Sequence, residues 1–303
     1  MTIQIRNARD ERDVRGALQI YLDDDAAWRL HRYGEAAPLT EAEIEDEFEY
    51  WWNIYDSAPD GFFVAEDDER ALIVGIASSV RRPPQWMLTN FFVHPDYKGH
   101  GLGHQLLQRA HAVRDGCDRF CVHASDDPAA QALYMRFGMY PQPHSTQFTG
   151  QIEQRLDVPD HLKLEKVSAL NALDTIAALD RSALGFERVV DHRFWAEHGL
   201  YYLVRAKQDL LGYFRVGQSP SQVSDIGPVV VTEDRWMGDV LQAVLAVAQT
   251  VSNRQRLLVP GANTTAIAKL LAWGYRCHDV ELLMSSAPLP GLPRVLFQDT
   301  DLL

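Results

Sequence analysis

The sequence predicts an α/β chain in which one mixed α+β sheet fold occurs twice in tandem, the second time in degenerate form. Three observations predict it. A length of 303 residues with 46% hydrophobic and 23% charged residues suits two domains, each large enough to bury a core. Strand-like and helix-like patterns alternate along the first 155 residues. The same order then returns at a nearly constant offset: 138 residues from Val93 to Val231, 137 from Gly101 to Gly238, and 136 from Tyr134 to Leu270. Such a slow drift is what duplication of one unit leaves behind. Asp157-Val-Pro-Asp-His161 reads as the join, so the expected domains are residues 1–156 and 157–303.

The elements follow in order. Ile3-Gln-Ile-Arg alternates as a half-buried strand does. Residues 10–22 space Val14, Leu18 and Leu22 as a helix face, and Thr40 is placed to cap a second helix carrying Ile44, Phe48, Trp51, Trp52 and Tyr55. Phe62-Phe-Val-Ala-Glu and Ala71-Leu-Ile-Val-Gly-Ile-Ala flank a charged turn as a hairpin, and a strand runs over Met87–Val93. A helix with Leu102, Leu106, Leu107, Ala110 and Val113 on one face comes next, then the strand Arg119–His123 and a helix ending at Gly138. In the second half, helices are expected over 167–180 and 187–198, and a hairpin joins Tyr201–Ala206 to Leu210–Arg215. Strand Ile226–Val231, a helix to about Val251, strand Leu257–Val259 and helix Asn263–Trp273 complete it.

Composition excludes several classes. The net charge of −13 sits almost wholly in the first half, and residues 23–56 alone hold 11 acids against 2 arginines. That balance argues against nucleic acid, which requires a basic footprint. It is compatible with drawing in a cationic small molecule, although a solvated acidic helix face gives the same count. No apolar run approaches the roughly 18 residues of a membrane helix. Three cysteines without a CxxC pair read as reduced thiols, so a cytoplasmic chain is expected, with no membrane partner.

The most informative segment is Val93-His-Pro-Asp-Tyr-Lys-Gly-His-Gly-Leu-Gly-His104, at a strand end and helix start. Unpaired N–H groups there face outward, and glycines let the backbone approach a pyrophosphate. The segment is neither a Walker loop nor a dinucleotide fingerprint. It resembles the acetyl-CoA loop of the GNAT N-acetyltransferases, Gln/Arg-x-x-Gly-x-Gly/Ala, here Lys98-x-x-Gly101-x-Gly103. A second family landmark appears as Asp127-x-x-Ala130-x-x-Leu133-Tyr134-x-x-x-Gly138. The resemblance implies two tandem GNAT folds with acetyl-CoA as co-substrate. It implies that Lys98, Gly99, His100, Gly101, Leu102, Gly103 and His104 hold the pyrophosphate. Phe91, Phe92 and Val93 would lie along the pantetheine, Phe91 helping to polarise the thioester carbonyl. Asp127, Ala130 and Tyr134 would contact the cofactor, with Tyr134 protonating the leaving thiolate.

The acceptor implied is a primary amine on a small molecule, entering by the acidic first helices, with Trp28, Tyr33, Glu47 and Trp51 as candidate contacts. No carboxylate stands in Gln85–Asn90, where several relatives keep a base, so Glu47, Glu49, His94 and His123 stay open for that role. This gap also leaves open a sensor that binds acetyl-CoA without turnover. Oligomeric state is open too, a homo-oligomer included. His100 and His104 have metal-pair spacing but no third ligand in register, so no metal is expected. In the second copy Val240 stands for Gly103, putting a side chain where backbone should face phosphate, and Leu270 stands for Tyr134. That copy is expected to be silent.

Overall fold

The computed structural model describes residues 2–34, 37–217 and 223–301. Strand β1 (Ile3–Asn7) leads into α1 (Glu11–Tyr33), where Asp10 accepts from the Asp13 N–H as N-cap and Gly34 ends the helix in the left-handed region. The helix therefore runs well past the 10–22 pattern, and the acids of 23–25 ride on it. Next comes α2 (Glu41–Ser57), opened by a reciprocal capping box between Thr40 and Glu43. Then follow β2 (Phe62–Asp67), β3 (Leu72–Arg82), β4 (Gln85–Val93) and α3 (Leu102–Ala112). Packing divides the chain into two compact units, Met1–Arg81 with Trp86–Asp118, and Arg82–Gln85 with Arg119–Leu303.

In the first unit the strands run β1-β2-β3-β4, with β1 and β3 both antiparallel to β2. Val14, Leu18, Phe48, Trp51 and Ile54 of the two helices are buried, as are Phe62, Val64, Val74 and Ile76 of the strands. Arg6 ties β1 to this layer by binding both Asp13, at 2.6 Å, and Glu66.

The second unit begins with β5 (Arg119–Ala124), α4 (Pro128–Arg136), β6 (Tyr140–Pro141) and β7 (Ser145–Gly150). The repeat then starts again: β8 (Leu162–Val167), α5 (Leu173–Leu184), α6 (Val189–Trp195), β9 (Gly199–Ala206), β10 (Asp209–Gly217), β11 (Val223–Val231), α7 (Met237–Ala248), β12 (Arg254–Pro260), α8 (Thr264–Ala272), β13 (Arg276–Ser285) and β14 (Val295–Leu296). This is the element order of the first copy, as the landmark offsets predict. Helix α5 starts later than the 167–180 pattern, because residues 162–167 form the strand matching β1.

The strands of the second unit run β5-β13-β7-β12-β11-β10-β9-β8, with β14 beside β11 and β6 beside β13. The closing strands of the two copies are thus exchanged. β13 of the second copy pairs with β5 of the first, from Leu282↔Ala124 to Ser285↔Cys121. β7 of the first copy pairs with β12 of the second, from Gln255↔Gly150 to Pro260↔Ser145. Phe148 on β7 accordingly lies in the core of the second copy, with Val240, Leu241 and Val244 of α7, Leu257 and Val259 of β12, and Leu270 of α8. The sequence copies meet near residue 157, whereas the compact units meet at Asp118, because main-chain bonds of the exchanged strands tie β5 and β7 to the second copy. Among the described residues, no helix is long and apolar enough to cross a membrane.

Candidate active site

The glycine-rich loop belongs to the first unit. After β4, the His94 N–H donates to Val74 O at 2.9 Å, and a 3-10 turn spans Pro95–Tyr97. His94 Nδ1 accepts the Asp96 N–H at 3.3 Å, so this candidate base helps to shape the turn. Tyr97 is buried and donates its hydroxyl to the Asp67 carboxylate at 2.6 Å, which pins the loop to the end of β2. Neither Tyr97 nor Asp67 stands out in the sequence as part of the site.

Gly99 and Gly101 both have positive φ, 83° and 80°, while His100 between them does not. Alternating hands along a chain turn successive N–H groups to one side, making a concave anion nest. A Cβ built on either glycine meets nothing within 4 Å, so the space above the loop is open. Gly101 is the N-cap of α3 and supplies no side chain to that helix end. The orphan first-turn N–H groups and the positive dipole end therefore face the same space. Lys98 Nζ lies 3.8 Å from Asp24 of α1, with both side chains about half exposed, and His100 Nδ1 is 3.0 Å from Lys98 O.

Gly103 serves a different purpose. A Cβ there would sit 3.2 Å from Phe91 Cζ and 3.7 Å from Val93 Cγ2, so its absence lets α3 lie close against β4. Phe91, Phe92 and Val93 are half-buried, and Phe92 packs against Tyr21 of α1 with ring centroids 5.5 Å apart. Leu102 is buried and roots the first turn of α3 in the core.

The second landmark belongs to the second unit. Asp127 is the N-cap of α4, accepting the Ala129 N–H at 2.8 Å, with Pro128 in the first helical turn. Its carboxylate thus replaces an amide without losing the capping bond. Ala130 is half-buried and Tyr134 is buried on the same helix. Burial, and then the negative charge of Asp127, raises the Tyr134 hydroxyl well above its ordinary pKa, so it stays a neutral donor across the physiological range.

The second copy's loop has another shape. A 3-10 turn at Asp234–Trp236 runs directly into α7, whose N-cap Trp236 is right-handed at φ −82°. A Cβ on Gly238 would meet Lys269 Cε at 2.7 Å, so the Lys269 side chain crosses this helix end and reaches to 5.3 Å from the Trp273 ring. Arg235 pairs with Glu233. The expectation for Val240 needs correction. It is fully buried in the core and not aimed at a phosphate position, just as the missing Cβ of Gly103 would point at β4.

The candidate acceptor residues separate. Trp51 is core, 1% exposed and packed on Tyr21 and Phe62, so it is not a free contact. Trp28 and Tyr33 form an edge-on pair at 5.7 Å near the end of α1, and Tyr33 is exposed. Glu47 is half-buried on α2. Several acids of 23–56 are engaged locally: Asp25 with Arg29, Glu45 with Arg15, and Glu43 in the capping box. Glu35 of this segment lies outside the described residues.

A further cluster lies in the second copy, sealed from solvent. Asp180 accepts from Arg188, from Tyr213 and from His192 Nε2 at 2.8 Å, and His192 Nδ1 lies 3.0 Å from the Tyr201 hydroxyl. The order Asp-His-Tyr is that of a proton relay, but Asp180, His192 and Tyr201 are each no more than 2% exposed, which suits a structural network.

Residues 27–139 match the model of the Acetyltransferase (GNAT) family. A candidate acetyltransferase of Pyrococcus horikoshii aligns over 97% of this chain and 92% of its own, with 17% identity and a TM-score of 0.72. A GCN5-related N-acetyltransferase of Sphaerobacter thermophilus aligns over 93% and 95%, with 16% identity and a TM-score of 0.62. A tandem GNAT protein of the clavulanic acid biosynthesis pathway aligns over 95% and 99%, with 16% identity and a TM-score of 0.58. At these identities the likeness is one of fold, and it extends over both copies. No curated protein matches the chain.

Proposed function

We propose that this chain is a tandem member of the GNAT superfamily and that it transfers an acetyl group from acetyl-CoA to a primary amine of a small molecule. The observation that carries the reading is the open nest of Gly99 and Gly101 at the uncapped start of α3. Two positive-φ glycines and an orphaned helix end suit a pyrophosphate, and Lys98 adds a cation beside them. Main-chain groups of Phe91 to Val93 would hold the pantetheine and polarise the thioester carbonyl. Asp127 and Ala130 would border the cofactor.

Tyr134 would act on the sulfur. Because its pKa is raised, full proton transfer to a thiolate is uphill, so its role is a hydrogen bond donated to the developing charge, with the proton completed from solvent. The second copy lacks the nest and the tyrosine, and its role is to complete the sheet rather than to bind a second cofactor.

Native mass spectrometry with acetyl-CoA tests the reading. One bound cofactor is expected, lost on Gly101→Glu and kept on Gly238→Glu, together with free-thiol release in the presence of amines. Two bound cofactors would overturn the silent second copy. No binding at millimolar cofactor would overturn acyl transfer, and binding without thiol release from any amine would favour the sensor.

A further inference from the structure

We propose that Glu281, brought beside β5 by the exchanged strand β13, is the base that takes a proton from the acceptor ammonium. The inference rests on the acyl-transfer reading and supplies a carboxylate base that the stretch Gln85–Asn90 does not carry. Directly paired residues of neighbouring strands share a face, and faces alternate along each strand. Leu283↔His123 and Glu281↔Ser145 are such pairs, so Glu281, His123 and Ser145 lie on one face of the second unit's sheet.

His123, the other candidate there, is already engaged. Its Nδ1 is 2.8 Å from Thr300 O, which can only accept, so Nδ1 carries the hydrogen. Its Nε2 lone pair then faces the Ser145 hydroxyl at 3.0 Å. Burial pushes His123 down to about 4, so it stays neutral with its lone pair taken.

Glu281 is half-buried. The charged groups around it are Asp279 on its own strand and Asp126 at the turn into α4. The facing residue of β7 is uncharged Ser145, and the nearest β5 residue on the same face is neutral His123, which pairs with Leu283. Burial first, then the two aspartates, raise Glu281 to about 7. A carboxylate with that poise takes a proton from an ammonium and returns it to water at neutral pH. Asp126 and Asp279 supply the negative field that draws a cationic amine to it. Asp126 immediately precedes Asp127, the N-cap of the helix that carries Tyr134, so base and proposed sulfur donor sit on elements of one unit.

The step balances. The ammonium gives one proton to Glu281, and the freed lone pair bonds to the thioester carbonyl carbon. The C–S bond breaks with its electron pair on sulfur, stabilised by Tyr134. The nitrogen sheds a second proton, the thiolate takes one from solvent, and Glu281 returns its proton to water. The net products are amide, free thiol and one proton.

The test uses the full chain and an amine found by thiol release. Wild type should show an acidic limb in kcat/KM near pH 7, the value to which Glu281 is raised. Glu281→Gln should abolish that limb and lower kcat/KM by about 100-fold. Asp279→Asn, which removes a repelling charge, should move the limb to lower pH. Both variants should still bind one acetyl-CoA in native mass spectrometry. Glu281→Gln should also melt higher than wild type at about pH 8, because it removes a carboxylate whose ionised form is disfavoured in the fold. An unchanged rate and limb in Glu281→Gln, or an unmoved limb in Asp279→Asn, overturns the assignment while acyl transfer stands. A wild type that releases no thiol with any amine removes both.

Discussion

The two copies begin their third helices in opposite ways. In the first, Gly101 at φ 80° halts the chain before α3, and the loop opens outward with nothing above Gly99 or Gly101. In the second, a 3-10 turn flows into α7 in right-handed geometry and Lys269 lies across the start. Beneath the loops the packing is exchanged in kind. The first copy sets Gly103 against Phe91, while the second sets Val240 in a core shared with Val229 at the matching strand position. Helix and strand are brought together in both cases, by a missing side chain over a large ring or by two medium side chains. The comparison teaches that a phosphate motif mixes two constraints: Gly99 and Gly101 concern the ligand, and Gly103 concerns the core.

The largest expected effect separates the two fourth helices. Tyr134→Phe should lower kcat by about 100-fold with acetyl-CoA affinity held, measured by thiol release and native mass spectrometry. Leu270, at the matching position, is fully buried in the apolar core, and Leu270→Ala should change melting but not the chemistry of a correctly folded sample. Next, Val240→Gly should cost about 2–4 kcal/mol by denaturant titration, from the cavity and the helix-interior glycine together. Gly103→Val should cost about 1–3 kcal/mol by overpacking against Phe91. Adding Phe91→Val should recover part of that loss, and a double-mutant cycle measures the coupling. Additivity there would break the exchange-of-volume account. The smallest effect belongs to Lys98→Met. Its exposed 3.8 Å contact with Asp24 predicts less than about 0.5 kcal/mol in stability, with a few-fold, salt-sensitive loss of acetyl-CoA affinity.

Much of the fold is legible because its cues are local. Thr40 and Glu43 make the capping box that their spacing announces, Gly138 ends α4 in the left-handed region, and the repeat offsets match two full sets of elements. Of the site, the loop glycines are legible for the same reason, since a positive φ is a property of single residues. Trp51 is not, because periodicity places it on a helix without saying that Tyr21 and Phe62 close over it. Tyr97 and Asp67 are 30 residues apart, and only the folded chain makes them one anchor.

The order of elements, their duplication and the shape of the first loop were thus determined by the sequence itself, through turn chemistry and side-chain period, which act over a few residues. Strands β7 and β13 are the opposite case. Their partners are chosen by which edges remain unpaired once everything else has packed, and backbone hydrogen bonds carry no residue code for that choice. Tertiary structure alone therefore decided that each copy closes with the other's strand. It also set Glu281 one residue beyond the Leu282–Ala124 pair, 147 residues after Tyr134 in the chain.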